Sequence, residues 1–430
     1  MGIFLYIIKI VFKFNKKNLH NIIFMNQVFE VKDKRSKIRD KVINKKSSLQ
    51  FLPISLEEIS LKKKVDFLNS KLKSSYLIDI VHNLLLRYYF RKENVFHLSS
   101  TILKEKYGHN YNYYIRYLVD NQILILLKNH QKGKNSRIYK LNDSIITGEI
   151  KRYQNSDNIL LKKYKNTISL VDGSSNYQNG IIPDVKKKIV EDLFSVKIDY
   201  SKSIFYLDST LQDIDIYNKN KYSVECIKEN HIFYHFDDYG RFHTNFTILK
   251  SFIRKNCLLI DGDETCEIDI NNSQPLFLCR LINDHDVFIV DDVEFNFFKQ
   301  LTINGNFYQY LIDNCEYSID KKKAKEIVYR VFFGKNYKNK YDDFFKRLFP
   351  TIYSFIKSYK REMLDYRSLA YALQRAESNL IFNKIIKKIM DIYPEIKVVT
   401  VHDSIICSKK YKDVVEIVFN KILKDEFDFD

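Results

Sequence analysis

The chain has 430 residues, and its 71 lysines and arginines against 53 aspartates and glutamates give a formal net charge of +18. This balance excludes an acidic protein, and the 45% share of hydrophobic residues is large enough for a core, which excludes a wholly disordered chain. With only 10 glycines and 5 prolines, collagen-like, elastic and linker-rich classes are excluded as well. At roughly 150 residues per domain, the length fits two or three domains.

The first 50 residues predict a basic N-terminal arm. The apolar stretch that opens it is interrupted by Lys9 and is shorter than the roughly 20 apolar residues of a membrane helix, so we expect no membrane partner. It is either a targeting segment or an upstream extension, in which case translation starts at Met25 instead of Met1. The positive run from Val31 to Gln50 is a partly disordered, solvated linker or a nucleic-acid contact.

Residues 51–150 combine helical and strand patterns. Apolar residues recur at helical spacing in SSYLIDIVHNLLLRYYF, and HLSSTILKEKYG predicts a helix capped by Ser99 or Ser100 and ended by Gly108. NYNYYIRYLVDNQ predicts a second helix, and ILILLKNHQKGKNSRIYKLN predicts two strands around a basic turn. This order of elements resembles a winged helix.

The resemblance to a winged helix implies that residues 51–150 bind DNA. The second helix would enter the major groove, and the basic hairpin with Lys132, Lys134 and Arg137 would contact phosphates. Protein interaction is the alternative, because winged helices also serve that role. Residues 151–230 carry no motif, and we expect a connecting region there, with a thumb-like subdomain as one interpretation.

The six cysteines are scattered and form no C-x-x-C pair, which predicts reduced thiols. We therefore expect an intracellular protein, either cytoplasmic or associated with an organelle, a virus or a plasmid. His231, His235 and His243 have no further ligand at regular spacing. We interpret them as ordinary strand or loop histidines and not as a metal site.

Asp269 and Asp403 each interrupt an apolar, strand-like segment. Ile268 and Ile270 flank Asp269, and because side chains alternate along a strand, Asp269 points to the face opposite theirs. Asp403 follows His402 within the β-branched segment IKVVTVHDSIICS. An unpaired charge is costly to bury, so both carboxylates indicate a site. On adjacent strands they would hold two Mg²⁺ ions and support phosphoryl transfer.

The segment DKKKAKEIVYRVFFGKN predicts a helix that ends at Gly334. Four of its residues recur every four positions and therefore share one face. These residues are Lys321, Lys325, Tyr329 and Phe333. The face offers ammonium groups for phosphates and aromatic rings for a base.

These segments resemble, in order and spacing, the palm and fingers of family A DNA polymerases over residues 231–415. GRFHT and the later FIRK are similar to the Gly-Arg segment and the following Arg ahead of the first catalytic motif. EIDINNSQP resembles that motif, Asp-x-Ser-Gln, and KKKAKEIVYRVFFG resembles the fingers helix. ALQRAESNLIFNKII resembles the helix before the last motif, and VHDS resembles the His-Asp-Glu turn.

The resemblance implies an α+β fold in which residues 231–430 form a right-hand palm and fingers module. The module would have an antiparallel palm sheet and many helices, and the winged-helix-like domain would precede it. The implied activity is that of a small DNA-directed DNA polymerase, serving a plasmid, a virus or a mobile element. No acidic exonuclease motifs lie upstream, so we expect no proofreading. Its partners would be a DNA primer–template and nucleoside triphosphates, and its cofactor a pair of Mg²⁺ ions.

The resemblance also implies a role for each matching residue. Asp269 and Asp403 would hold the metal ions, Lys325 would bind the β and γ phosphates, and Lys321 would support it. Tyr329 and Phe333 would stack with the base and template, and Arg254 would contact the triphosphate or backbone. Arg241 and His402 would contact the primer terminus, and Gln374 would contact the template strand.

Three departures from the family pattern leave the choice of sugar open. Asp269 is separated from Ser273 by two residues more than in the motif, and Pro275 or Leu276 replaces the Glu that excludes ribonucleotides. Ser404 stands where these DNA polymerases have Glu, as in the His-Asp-Ser of single-subunit phage-type RNA polymerases. The alternatives are therefore such an RNA polymerase, a template-independent transferase, or a DNA-binding replication initiator or regulator with an inactive palm.

Overall fold

A computed structural model describes residues 48–54, 56, 72–131, 136–146, 148–163, 180–232, 234–285, 289–337 and 340–427. Most of the basic arm and the turn residues Lys132 and Lys134 lie outside this set, whereas the last residues of the arm open a strand. The fold is mixed α+β with antiparallel sheets, as the sequence predicts at that level.

The strands, in chain order, are β1 Ser48–Pro53, β2 Phe96–Leu98, β3 Leu124–Lys128, β4 Arg137–Leu141, β5 Ile150–Asn155, β6 Val196–Ile198, β7 Tyr234–Phe236, β8 Phe242–Thr244, β9 Leu258–Ile260, β10 Asp263–Asp269, β11 Val398–Val401 and β12 Ser404–Ser408. The α-helices are α1 Ser74–Arg91, α2 Ser100–Tyr107, α3 Tyr111–Asp120, α4 Asp143–Ile146, α5 Pro183–Leu193, α6 Tyr200–Thr210, α7 Ile214–Lys228, α8 Asn245–Ile248, α9 Ser251–Cys257, α10 Ser273–Asn283, α11 Asp292–Ile303, α12 Phe307–Asp313, α13 Lys321–Phe333, α14 Lys340–Leu348, α15 Pro350–Glu362, α16 Ser368–Ser378, α17 Lys387–Ile392 and α18 Lys412–Phe427.

Contacts divide the chain into two compact units. Unit 1 comprises Met1–Tyr177, Val196–His235 and Thr244–Leu259, and unit 2 comprises Gln178–Ser195, Phe236–His243 and Ile260–Asp430. Residues 151–230 therefore contribute to both units, with α5 in unit 2 and α6 and α7 in unit 1.

Unit 1 contains the two helices and the hairpin that the sequence predicts after α1. α2 begins after Ser99 and ends at Gly108, whose φ of +81° favours glycine. Ser99 occupies the N-cap position, as the sequence predicts, although its side chain makes no capping hydrogen bond. α3 follows α2, and strands β2, β4 and β3 form a three-stranded antiparallel sheet in that order.

A second sheet in unit 1 pairs β1 with β5, from Ser48 opposite Asn155 to Pro53 opposite Ile150. Phe51 of β1 packs on Tyr222 of α7, with 4.7 Å between the ring centroids. The core around α1 thus includes residues on both sides of the 150 boundary.

A buried polar network lies within the core of unit 1. The carboxylate of Asp79 accepts hydrogen bonds from Gln50 Nε2 and the Tyr107 hydroxyl, each at 2.6 Å. Lys106 Nζ lies 2.8 Å from the same carboxylate, and its side chain is largely buried. Nearby His82 accepts a backbone N–H at Nδ1, and burial lowers the pKa of His82 to about 4.

Three strands of unit 2 lie in the order β11, β12, β10, all antiparallel. β11 and β12 are buried at every position, as expected for their β-branched and apolar sequence. The register sets Asp269 of β10 opposite Ser404 of β12. The only residues between β11 and β12 are His402 and Asp403.

Helices of unit 2 pack through phenylalanine rings. Phe298 of α11 lies 5.1 Å from both Phe307 of α12 and Phe349, measured between ring centroids. α13 joins this core through Phe332, whose ring centroid lies 6.0 Å from that of Phe345. The fully buried side of α13 is thereby fixed.

The helical run from Ser368 to Ile392 is not α-helical throughout. A π-helical segment, Asn379–Ile386, separates α16 from α17. The sequence predicts a helix over ALQRAESNLIFNKII, but apolar spacing does not reveal a change of helical pitch. π-Helical turns occur frequently at functional sites.

Candidate functional site

Asp269 and Asp403 lie at neighbouring positions on paired strands of unit 2. Asp269 ends β10 and is exposed, whereas Ile268 and Ile270 are buried, so the predicted alternation is confirmed. Asp269 lies opposite Ser404, and the Ile270 N–H donates to the Asp403 carbonyl oxygen at 3.4 Å. The two carboxylates therefore belong to one edge of the sheet, which we call the carboxylate edge.

Asp403 is presented by a tight turn and not by the interior of a strand. His402 and Asp403 connect β11 to β12, and His402 has a φ of +56°, which is uncommon for a residue other than glycine. The Ser404 hydroxyl lies 2.9 Å from both Glu267 Oε1 and the Val401 carbonyl oxygen. Ser404 is thus engaged within the sheet.

One side of α13 carries Lys321, Lys325, Tyr329 and Phe333, as their spacing predicts. The opposite side is buried and consists of Ala324, Ile327, Val328, Val331 and Phe332. Tyr329 is 47% exposed and stacks on Phe333, with 5.5 Å between ring centroids. Lys325 Nζ lies 5.6 Å from the centroid of the Tyr308 ring. The predicted face of ammonium groups and rings is confirmed.

Two features fix the C-terminal end of α13. A Cβ at Gly334 would lie 2.3 Å from the Arg330 carbonyl oxygen, so only glycine fits. Lys360 of α15 is buried, and its Nζ donates to the carbonyl oxygens of Val331 at 2.8 Å and Gly334 at 3.0 Å. Burial lowers the pKa of Lys360 to about 7. The end of the helix is thus tied to α15.

Charges connect α13 with the carboxylate edge. Burial is the largest cause that raises the pKa of Tyr329. The carboxylates of Asp403, Glu377 and Asp269 add to that rise in the pKa of the phenol, and Arg241 opposes it. Tyr329 therefore lies within electrostatic reach of both carboxylates of the edge.

Glu377 is a site residue that the motif comparison does not identify. It lies on α16, is 1% exposed, and accepts a hydrogen bond from Gln274 Nε2 at 2.7 Å. Arg241 Nη2 donates to the same carboxylate at 3.3 Å. We call these three residues the Glu377 cluster. The sequence gives one indication of Glu377, since it is the only charged residue in the stretch AESNLIF.

The Glu377 cluster is incompletely paired. Within the described part of the chain, Arg241 Nε and Gln274 Oε1 are buried without a hydrogen-bond partner, whereas Glu377 Oε1 forms an ion pair with Arg241 Nη2 at 3.2 Å. Each unpaired buried polar group costs about 1–3 kcal/mol, so we expect an ordered water or a ligand to complete the cluster. Burial raises the pKa of Glu377 to about 7, and Arg241 opposes the shift.

Two more predicted residues lie in unit 2. Gln374 is half-buried on α16, one turn before Glu377. His402 is exposed, and its ring centroid lies 6.4 Å from that of His243. His243 Nε2 is 3.0 Å from Asp237 Oδ2, so this histidine is held by a carboxylate.

The remaining predicted residues belong to unit 1. Arg254 donates a hydrogen bond from Nη1 to the Leu249 carbonyl oxygen at 3.2 Å. It belongs to unit 1, whereas Asp269, Asp403 and α13 belong to unit 2. Arg137 is exposed at the start of β4. Lys132 and Lys134, between β3 and β4, lie outside the described residues.

The carboxylate edge has the donors that Mg²⁺ prefers. Among the described residues, no group of three or more His, Cys, Asp or Glu side chains is arranged to hold a metal ion. Mg²⁺, however, is commonly bound by one or two carboxylates, with waters and substrate phosphates as the other ligands. Asp269 and Asp403 therefore supply carboxylates of the kind that can hold Mg²⁺.

The sequence matches no protein-family model and no curated protein. No helix in the described ranges is both long enough and apolar enough to cross a membrane.

Proposed function

We propose that unit 2 is a template-directed nucleotidyltransferase and that the chain is a DNA-directed DNA polymerase. The observation that supports this best is the convergence, within one unit, of the carboxylate edge and the lysine and aromatic face of α13. Phosphoryl transfer requires chiefly that the reacting groups are positioned and that developing charge is stabilised. The two elements together supply the groups for both tasks.

The face of α13 would bind the incoming nucleotide. Lys321 and Lys325 are exposed and one turn apart, so their ammonium groups could contact successive phosphates. Tyr329 and Phe333 follow on the same face, and their rings would stack with the base. The contacts at the C-terminal end of α13 keep this face on a rigid element.

Asp269 and Asp403 would hold the Mg²⁺ ions at the carboxylate edge. When bound, the ions would activate the primer hydroxyl and neutralise charge on the leaving pyrophosphate. The exposed position of Asp269, at the end of its strand, leaves its carboxylate accessible to a triphosphate.

The Glu377 cluster would contact the primer–template. Arg241 Nε is a donor and Gln274 Oε1 is an acceptor, and neither has a hydrogen-bond partner within the described residues, so a polar ligand could pair with both. Gln374, one turn from Glu377, would extend the same surface.

One observation favours RNA synthesis as a second candidate. Pro275 and Leu276, which replace the Glu that excludes ribonucleotides, are both buried in α10. Neither side chain can therefore block a 2′-hydroxyl. The test below therefore offers dNTPs and rNTPs separately, and its result decides between deoxyribose and ribose.

Primer extension tests the proposal. The full chain is incubated with Mg²⁺ and labelled primer, with and without template, and with dNTPs or rNTPs separately. We expect template-dependent extension that disappears in Asp403→Ala and persists in Asp413→Ala, a change of an exposed aspartate on α18. Equal activity of wild type and Asp403→Ala would contradict the proposal. Extension without template would identify a template-independent transferase. DNA binding without nucleotide incorporation would identify a replication initiator or regulator.

We also infer that unit 1 binds DNA in the manner of a winged helix. Residues 1–170 carry 33 basic and 13 acidic side chains, 33 − 13 = +20, and residues 171–430 carry 38 − 40 = −2. α3 exposes Asn112, Tyr113 and Arg116 on one side, and Arg137 is exposed beside the hairpin turn. These side chains suit contacts to bases and phosphates.

A further inference from the structure

Cys266 and Cys407 face each other across paired strands of unit 2. The register of β10 and β12 sets them directly opposite, and their Sγ atoms are 3.5 Å apart. Cys266 Sγ also lies 3.7 Å from the Cys407 carbonyl oxygen. The two residues are 141 positions apart in sequence, so spacing alone gives no sign of the pair.

The backbone geometry suits a disulfide. Directly opposed residues of an antiparallel pair have Cα atoms about 4.5 or 5.5 Å apart. Both values lie within the range of about 4.4–6.8 Å observed for disulfides. The sulfur atoms would have to approach by about 1.5 Å to reach the bond length of about 2.05 Å.

The two thiols are not equivalent. Cys266 is half-buried and Cys407 is fully buried. The hydrogen bond with Cys407 is the largest cause that lowers the pKa of Cys266, and the Lys412 ammonium lowers the pKa further. Because the thiolate is the nucleophile, Cys266 is the thiol that reacts first with a reagent from solution.

We propose that Cys266 and Cys407 form a reversible cross-strand disulfide when the protein meets a low-molecular-weight disulfide. The Cys266 thiolate attacks one sulfur of the reagent, which gives a mixed disulfide and releases one thiolate. The Cys407 sulfur then attacks the Cys266 sulfur, the mixed bond breaks, and the Cys407 proton passes to the second departing thiolate. The protein loses two electrons, and the reagent is reduced to two thiols.

The bond would join the two strands of the carboxylate edge. Cys266 precedes Asp269 by three residues on β10, and Cys407 follows Asp403 by four residues along β12. The thiol pair is therefore a modification site beside the carboxylate edge. Its formation does not depend on the proposed polymerase activity.

Thiol counting and peptide mapping test the proposal. The full chain, folded, is treated with oxidised glutathione, blocked, denatured and digested. We expect the number of free thiols to fall from the six of the sequence to four, with Cys266 and Cys407 in one cross-linked peptide and full recovery after dithiothreitol. Cys315→Ser, which changes another half-buried cysteine, should lose two thiols as the wild type does. Cys266→Ser and Cys407→Ser should form no internal link.

Retention of all six thiols in the wild type would overturn the proposal. So would a lasting mixed disulfide on Cys266 that Cys407 does not displace, or links that pair either residue with other cysteines. The map of the wild-type protein decides the question even if a serine variant fails to fold.

Discussion

Each unit buries a carboxylate, and the two carboxylates are paired differently. Asp79 in unit 1 meets an amide, a hydroxyl and an ammonium group. Glu377 in unit 2 meets an amide and a guanidinium group, and beside it the buried Arg241 Nε and Gln274 Oε1 make no hydrogen bond within the described residues. A buried polar group is costly unless it is hydrogen-bonded. Burial alone therefore does not mark a functional carboxylate, and incomplete pairing is the better sign of a ligand.

The largest effect on stability is expected from Asp79→Asn. Removal of its charge leaves the Lys106 ammonium without its ionic partner in a largely buried position, and such changes cost about 3–5 kcal/mol. The midpoint of denaturant unfolding measures the loss. Asp143→Asn is the matched control, because the Asp143 pair with Lys140 is exposed and should contribute less than about 1 kcal/mol. Equal, small shifts in both variants would show that the Asp79 network is not structural.

Glu377→Gln should change the pH dependence of stability. Burial raises the pKa of Glu377 from its ordinary 4.5 to about 7, so the folded protein keeps a proton that the unfolded chain has released. This contribution to stability is full below pH 4.5 and is lost as the pH rises to 7. The loss is about 3 kcal/mol, at about 1.4 kcal/mol for each pKa unit.

Unfolding measured between pH 4 and pH 8 checks this expectation. Glu377→Gln should lack the downward slope, and Glu395→Gln, which changes an exposed glutamate, should keep it. An unchanged slope in Glu377→Gln would mean that folding does not raise the pKa of Glu377, and the contrast with Asp79 would disappear.

The smallest effect is expected from Arg137→Ala in unit 1. If Arg137 contacts one phosphate, DNA binding by the variant releases about one counterion fewer than binding by the wild type. The slope of the logarithm of the binding constant against the logarithm of the salt concentration should then become shallower by about 1. Fluorescence anisotropy with a DNA duplex measures the slope. Lys388→Ala changes an exposed lysine of α17 in unit 2 and should leave the slope as it is. If the salt slope changes equally in Arg137→Ala and Lys388→Ala, the assignment of DNA capture to unit 1 is refuted.

The sequence predicts local structure well where one physical rule dominates. Periodicity predicts α13 and the face that its lysines and aromatic residues share, and alternation predicts that Asp269 points away from the side of Ile268 and Ile270. Contacts between distant segments follow from strand register and helix packing, which spacing does not encode. The partners of Glu377 and the pair of Cys266 with Cys407 therefore emerge only from the fold.

The rate of primer extension in a single turnover, at saturating DNA and Mg²⁺, tests the central proposal most directly, because it separates chemistry from DNA binding. Asp269→Asn and Asp403→Asn should each be slower than wild type by at least about 100-fold, since even indirect partners of metal ligands cost about 10–100-fold when changed. Asp413→Asn should react at the wild-type rate. Rates within about twofold of wild type in both carboxylate-edge variants would contradict a nucleotidyltransferase site at Asp269 and Asp403.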